Sequence, residues 1–142
     1  MLCEQVMSTA VQSVRAHDTA LAAAKLMRSA DVGFLPVCDD AGKVIGVLTD
    51  RDLVVRLGAE GNNWHTRVAD LMTPEVISCR PEDALAVAEE LMCVHHTSRV
   101  VCVDDAGRAR GVISLADVVR NDDAMATAHT LREVITREPR HV

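Results

Sequence analysis

The chain has 142 residues, is 49% hydrophobic and carries a formal charge of −6 at pH 7, enough to bury one compact domain or two small halves. A single Phe and a single Trp leave no aromatic platform for stacking bases, and the acidic balance supplies no basic face, which disfavours single-strand and duplex nucleic-acid binding alike. No run reaches the roughly 18 apolar residues of a membrane span, and Met1-Leu2-Cys3-Glu4-Gln5 lacks a basic region ahead of an apolar one, so no signal peptide is read and a cytoplasmic protein is expected.

Residues 11–14 form a short β-branched run that reads as a first strand. Asp18 follows where a helix N-cap belongs, and residues 19–29, rich in Ala, Leu and Met, read as a helix. Leu35-Pro36-Val37-Cys38 is an apolar run of strand length, Asp39-Asp40-Ala41-Gly42 supplies turn chemistry, and residues 44–48 return as a hairpin strand. Residues 52–57 then begin a second helix.

The series recurs 65 residues later. Met7 aligns with Met72, Ser13 with Ser78, Arg15 with Arg80, Asp18 with Asp83, Gly46-Val47 with Gly111-Val112 and Asp52 with Asp117. The second copy reads as a strand at 76–78, a helix at 84–94 behind Asp83, strands at 100–103 and 110–113, and a helix from 117. Matches this dense at one spacing mark an internal duplication of a β-α-β-β-α unit. The expected division is a first repeat at 1–57, a linker at 58–66, a second repeat at 67–121 and a helical extension at 122–142. Gly58, Gly61, Asn62 and Asn63 mark the linker, in which Trp64 and His65 either pin it to the body or stay partly exposed. In the extension, Asp122 or Asp123 supplies a cap, Met125, Ala128, Leu131 and Ile135 fall near one helical face, and Pro139 marks the end. Such a helix suits self-association or the covering of a sheet edge.

One sheet and two helices are too few to bury both sheet faces alone. Two units packed with pseudo-twofold symmetry, as an α/β (α+β) domain with a cleft lined by equivalent segments of both, are the expected solution.

The motif that carries chemistry is Gly46-Val47-Leu48-Thr49-Asp50-Arg51-Asp52, repeated as Gly111-Val112-Ile113-Ser114-Leu115-Ala116-Asp117. A hydroxyl at a strand end with an Asp three residues on suits a hydroxyl-rich or phosphorylated ligand, and equally an ordinary helix cap. With the strand Leu35-Pro36-Val37, the duplication and the segment Asp70-Leu71-Met72-Thr73-Pro74, it resembles the cystathionine-β-synthase (CBS) domain pair, or Bateman module, over roughly residues 3–121. The length is similar to that of stand-alone bacterial CBS-pair proteins, including hypoxic response proteins.

The resemblance implies a non-catalytic regulatory module that takes an adenosine-containing ligand, AMP, ADP, ATP or S-adenosylmethionine, in the inter-repeat cleft and signals by conformational change to a partner protein. No cofactor beyond that ligand is implied. Asp52 with Thr49 would serve one site and Asp117 with Ser114 the other, the carboxylate accepting ribose hydroxyls and the hydroxyl lying near phosphate. Adenine contacts are implied around Val11 and Val76, and around Gly33-Phe34 and Ser98-Arg99. Arg51 and Arg99 are candidate phosphate partners or solvated surface charges. The second copy departs more: Val101 stands for Pro36, and Leu115-Ala116 for Asp50-Arg51. A homodimer is implied as well. A ligand-independent dimerisation or protein-interaction module is the alternative reading.

No G-x-S-x-G, P-loop or H-E-x-x-H occurs, so no enzyme is read. Five cysteines without C-x-x-C spacing argue against a zinc site or a closed disulfide set. Cys38, Cys79 and Cys102 read as small core hydrophobes, and a reducing cytosol disfavours a bond between Cys79 and Cys102 on neighbouring strands. His95-His96, at a helix end, suit the helix dipole better than a metal.

Overall fold

A computed structural model describes residues 1–121 and 124–136. The first half runs β1 (Val14–Arg15), α1 (Ala20–Ala30), β2 (Phe34–Cys38), β3 (Val44–Thr49) and α2 (Asp50–Leu53). The second runs β4 (Ser78–Cys79), α3 (Leu85–His95), β5 (Arg99–Val103), β6 (Ala109–Ser114) and α4 (Leu115–Asn121), with a last helix α5 (Ala124–Thr136). The β-α-β-β-α order therefore occurs twice, in a mixed α/β fold with sheets ordered β1-β2-β3 and β4-β5-β6.

In each sheet the first pair is parallel and the second antiparallel. The reason is connection length: a helix crosses between parallel strands, whereas a short turn can join only antiparallel ones. Gly42 and Gly107 take φ of 85° and 78° in those turns, which a side-chain-bearing residue adopts only under strain. The central strand β2 is buried from Leu35 to Cys38, while β3 alternates buried and half-buried positions. That is the pattern of a strand covered on both faces beside one covered on one.

The elements differ from expectation at several ends. The first strands sit later, at Val14–Arg15 and Ser78–Cys79, and residues 11–13 and 76–77 lie ahead of them. Asp18 and Asp83 are not N-caps. Each carboxylate accepts a backbone N–H inside the preceding turn, Arg15 N at 2.9 Å and Arg80 N at 2.8 Å. Capping passes to Thr19, whose Oγ1 accepts Ala22 N–H at 3.2 Å, and to Ala84, which offers no side-chain bond. The second helix begins at Asp50 rather than Asp52 and continues as a π-helical turn, Val54–Ala59; its counterpart begins at Leu115 rather than Asp117.

Residues 58–66 are fastened by backbone: Leu21 N–H donates to Trp64 O and Ala20 N–H to Thr66 O. These bonds satisfy orphan donors in the first turn of α1, and the Trp64 ring is left 48% exposed.

The chain forms two compact units. One holds Gln12–Val76 with Ala106–Arg108; the other holds Met1–Val11, Ile77–Asp105 and the chain from Ala109. Each repeat thus docks its leading segment on the other repeat's body. In the first unit Val68 N–H donates to Asp18 O, and Thr73 and Val47 exchange two backbone bonds. In the second, Cys3 N–H donates to Asp83 O, and Ser8 and Val112 exchange the same pair. The first core is built on Leu35, Val37, Leu48 and Leu71, and the second on Met92, Val100, Ile113 and Val118.

Helix α5 closes the second core with Val134, and Thr130 beside it is 1% exposed and donates to Glu89 Oε2 at 3.2 Å. The inward face is therefore Thr130–Val134. Ile135, which shares the expected helical face with Ala128 and Leu131, is 61% exposed, because it stands one residue, about 100°, beyond Val134 on the helix. The expected cap at Asp122 or Asp123, the Met125 side chain and the end at Pro139 lie outside the described residues.

Candidate ligand sites

Each site starts from a strand that ends on a hydroxyl residue. Thr49 is extended, at φ −110° and ψ 161°, and caps α2. Asp52 N–H donates to Thr49 Oγ1 at 3.1 Å, and Thr49 N–H donates to Asp52 Oδ2 at 2.9 Å. Ser114 and Asp117 repeat the pair, at 3.2 Å and 2.9 Å. This is a capping box with Asp in the position where Glu or Gln is usual. The helix-cap reading is therefore realised in both copies, and it leaves free the hydroxyl proton and the second carboxylate oxygen.

That second oxygen separates the copies. Asp52 Oδ1 has no partner among the described residues, whereas Asp117 Oδ1 accepts Arg120 Nη1 at 3.3 Å. The first copy keeps a carboxylate oxygen able to accept a hydrogen bond; the second has it engaged by its own helix.

The rim of each site is the residue before β2 or β5. Asp50 N–H donates to Gly33 O at 3.0 Å, and Leu115 N–H donates to Ser98 O at 2.8 Å. A Cβ on Gly33 would lie 2.6 Å from Asp50 Oδ2, so glycine allows the Asp50 carboxylate to rest against the backbone. Sequence reasoning missed Asp50; the signal was present in Gly33 pairing with Asp50 where the other copy has Ser98 with Leu115. Phe34 is the register partner of Thr49, and Arg99 of Ser114. Arg51 is exposed, and Arg99 donates to Ser98 Oγ at 3.5 Å.

The exchange of leading segments assigns the remaining residues. Val76 belongs to the unit of Gly33, Phe34, Thr49, Arg51 and Asp52; Val11 belongs to the unit of Ser98, Arg99, Ser114 and Asp117. Both valines are half-buried. A groove of about 320 Å³ in the first unit is lined by Leu53, Val54, Leu57, Gly58 and Trp64, none of them an expected site residue.

His96 takes a left-handed C-cap conformation at φ 51°, and its Nδ1 lies 3.1 Å from Glu133 O, a link from α3 to α5 rather than a dipole contact alone. Among the described residues no three His, Cys, Asp or Glu side chains could hold a metal ion, and no helix is long and apolar enough to cross a membrane.

Two tandem β-α-β-β-α repeats, each with a hydroxyl–aspartate corner at the end of its third strand, define a duplicated mixed α/β fold. The chain belongs to the CBS domain family, whose CBS domain matches residues 3–59 and 68–123. It is 32% identical to the CBS domain-containing protein YhcV of Bacillus subtilis over 138 residues, 97% of each chain. It is 36% identical to hypoxic response protein 1 of Mycobacterium tuberculosis over 118 residues, 82% of this chain and 81% of that one. Among solved structures, hypoxic response protein I with two coordinated zinc ions is 29% identical with a TM-score of 0.76, covering 87% of this chain and all of that one. CBSX2 in complex with AMP is 26% identical with a TM-score of 0.72, covering 84% and 93%.

Proposed function

We propose that the protein is a non-catalytic regulatory module that binds an adenosine-containing ligand, AMP, ADP, ATP or S-adenosylmethionine, and passes the resulting conformational change to a partner protein. The observation that carries this reading is the unengaged Asp52 Oδ1 beside the Thr49 hydroxyl. A vicinal diol can donate to that carboxylate without displacing the cap. Arg51 supports the reading as an exposed cation suited to phosphate, and the AMP complex of CBSX2 shows that this fold admits such a ligand in a relative. Binding shifts populations only through differential affinity for two conformations of the module.

The test is calorimetry with a panel of adenosine ligands on wild type and Asp52→Asn. Asparagine keeps an acceptor for Thr49 N–H but offers an amide donor where the diol needs an acceptor. Binding to wild type that is lost in Asp52→Asn, with the melting temperature nearly kept, is expected. No heat from any ligand, or equal affinity in the variant, would overturn the reading.

A second reading, a ligand-independent homodimerisation or interaction module, is favoured by the closed second copy, in which Arg120 occupies Asp117. Val54 at 73% and Trp64 at 48% exposure also supply apolar surface for it. Nucleotide carried through purification would exclude it.

A further inference from the structure

Three of the five cysteines meet in the core of the second unit. Cys79 Sγ lies 3.5 Å from Cys102 Sγ and 3.8 Å from Cys3 Sγ, and none of the three is more than 5% exposed. They come from three segments: Cys3 from the docked leading segment, Cys79 from β4 and Cys102 from β5. Cys79 and Cys102 are register partners on parallel neighbouring strands.

The internal duplication shows what these positions require. At the same 65-residue offset the first unit places Val68, Val14 and Val37, all buried together in its core. Packing is therefore satisfied by aliphatic side chains at all three positions in one unit, and the second unit has a thiol at every one of them. A core needing only small hydrophobes accounts for each cysteine alone; it does not account for three replacements converging on one point.

We propose that Cys79 is the shared member of an oxidisable thiol cluster, forming a disulfide with Cys102 and, in its absence, with Cys3. The oxidant is a hydroperoxide. The Cys79 sulfur attacks the distal peroxide oxygen, giving a sulfenic acid and one alcohol or water. The Cys102 sulfur then displaces hydroxide from the sulfenic sulfur, forming the S–S bond and releasing water. Two thiols lose two protons and two electrons, and the peroxide O–O bond is reduced. Neighbouring strands are about 4.8 Å apart, inside the Cα separation of roughly 4.4–6.8 Å that a disulfide spans. The bond would fasten β4 to β5 three positions beyond Arg99, and the Cys3–Cys79 alternative would tie residues 1–11 covalently to their dock.

Burial makes the reaction slow, since the thiolate is the nucleophile and both Cys3 and Cys79 are held protonated, Cys3 by desolvation and Cys79 by its hydrogen bond with the Cys102 thiol and by desolvation. The half-buried Cys93 is the thiol a bulky alkylating reagent meets first.

The experiment treats folded protein with hydrogen peroxide, quenches in acid, alkylates after unfolding and maps linked peptides by mass spectrometry. Valine replacements copy the other unit, so the variants keep a precedented core, checked by circular dichroism. Expected in wild type is a loss of two hydrogens with Cys79 linked to Cys102, and a melting temperature above that of the reduced protein. Cys102→Val should shift the link to Cys3–Cys79, and Cys79→Val should abolish both links and the thermal shift. Overturning results are three thiols that remain fully alkylatable after peroxide, or over-oxidation of separate cysteines without a link. Either would leave the cluster as packing alone, equivalent to Val68, Val14 and Val37.

Discussion

Met72 lies against Gly46 so closely that a Cβ on the glycine would fall 2.7 Å from the methionine sulfur and 2.8 Å from Thr73 O. Met7 stands over Gly111 in the same way, with 2.5 Å to its sulfur and 2.9 Å to its Cβ. These contacts hold each leading segment on the strand beneath it. Gly46→Ala and Gly111→Ala should each destabilise the protein by about 1–3 kcal/mol, since backbone and Cβ atoms cannot swing aside. Urea unfolding measures this. Gly33→Ala should cost less, because its first obstacle is the rotatable Asp50 carboxylate.

The two capping boxes should weigh similarly in stability whatever they bind. Thr49→Ala and Ser114→Ala each remove the acceptor for a backbone N–H, at 3.1 Å and 3.2 Å, and each should cost about 1 kcal/mol. A loss in one copy only, measured by thermal or urea unfolding, would show that the other hydroxyl is not a cap.

Stability should fall on the alkaline side through Cys3. Burial pushes its thiol from 9.0 up to about 12, so the unfolded chain ionises first. The folded state is then fully favoured below about pH 9 and loses ground as pH climbs toward 12. Under reducing conditions Cys3→Val should lessen that decline and leave the part carried by Cys79, which is also held protonated, as followed by urea midpoints across the same range.

Helix α5 offers a contrast between adjacent residues. Val134 is 2% exposed in the second core and Ile135 is 61% exposed. Val134→Ala should cost about 1.5–2.5 kcal/mol from two lost methylene equivalents and a residual cavity. Ile135→Ala should change stability by less than about 0.5 kcal/mol. Equal costs would mean that the helix packs on a different face.

The sequence by itself determined the duplication, the β-α-β-β-α order and the hydroxyl–aspartate corner, because each is written in a local pattern or a fixed spacing. Thr49, Asp52, Ser114 and Asp117 could be named as pairs because the partners of a capping box stand only three positions apart. The tertiary structure alone decided what lies far apart in the chain. It turned α5 so that Val134 faces the second core, and docked residues 1–11 on the second repeat. It also drew Cys3 to within 3.8 Å of Cys79, 76 positions away. Such contacts are chosen by burial and packing across the fold, which no local period encodes.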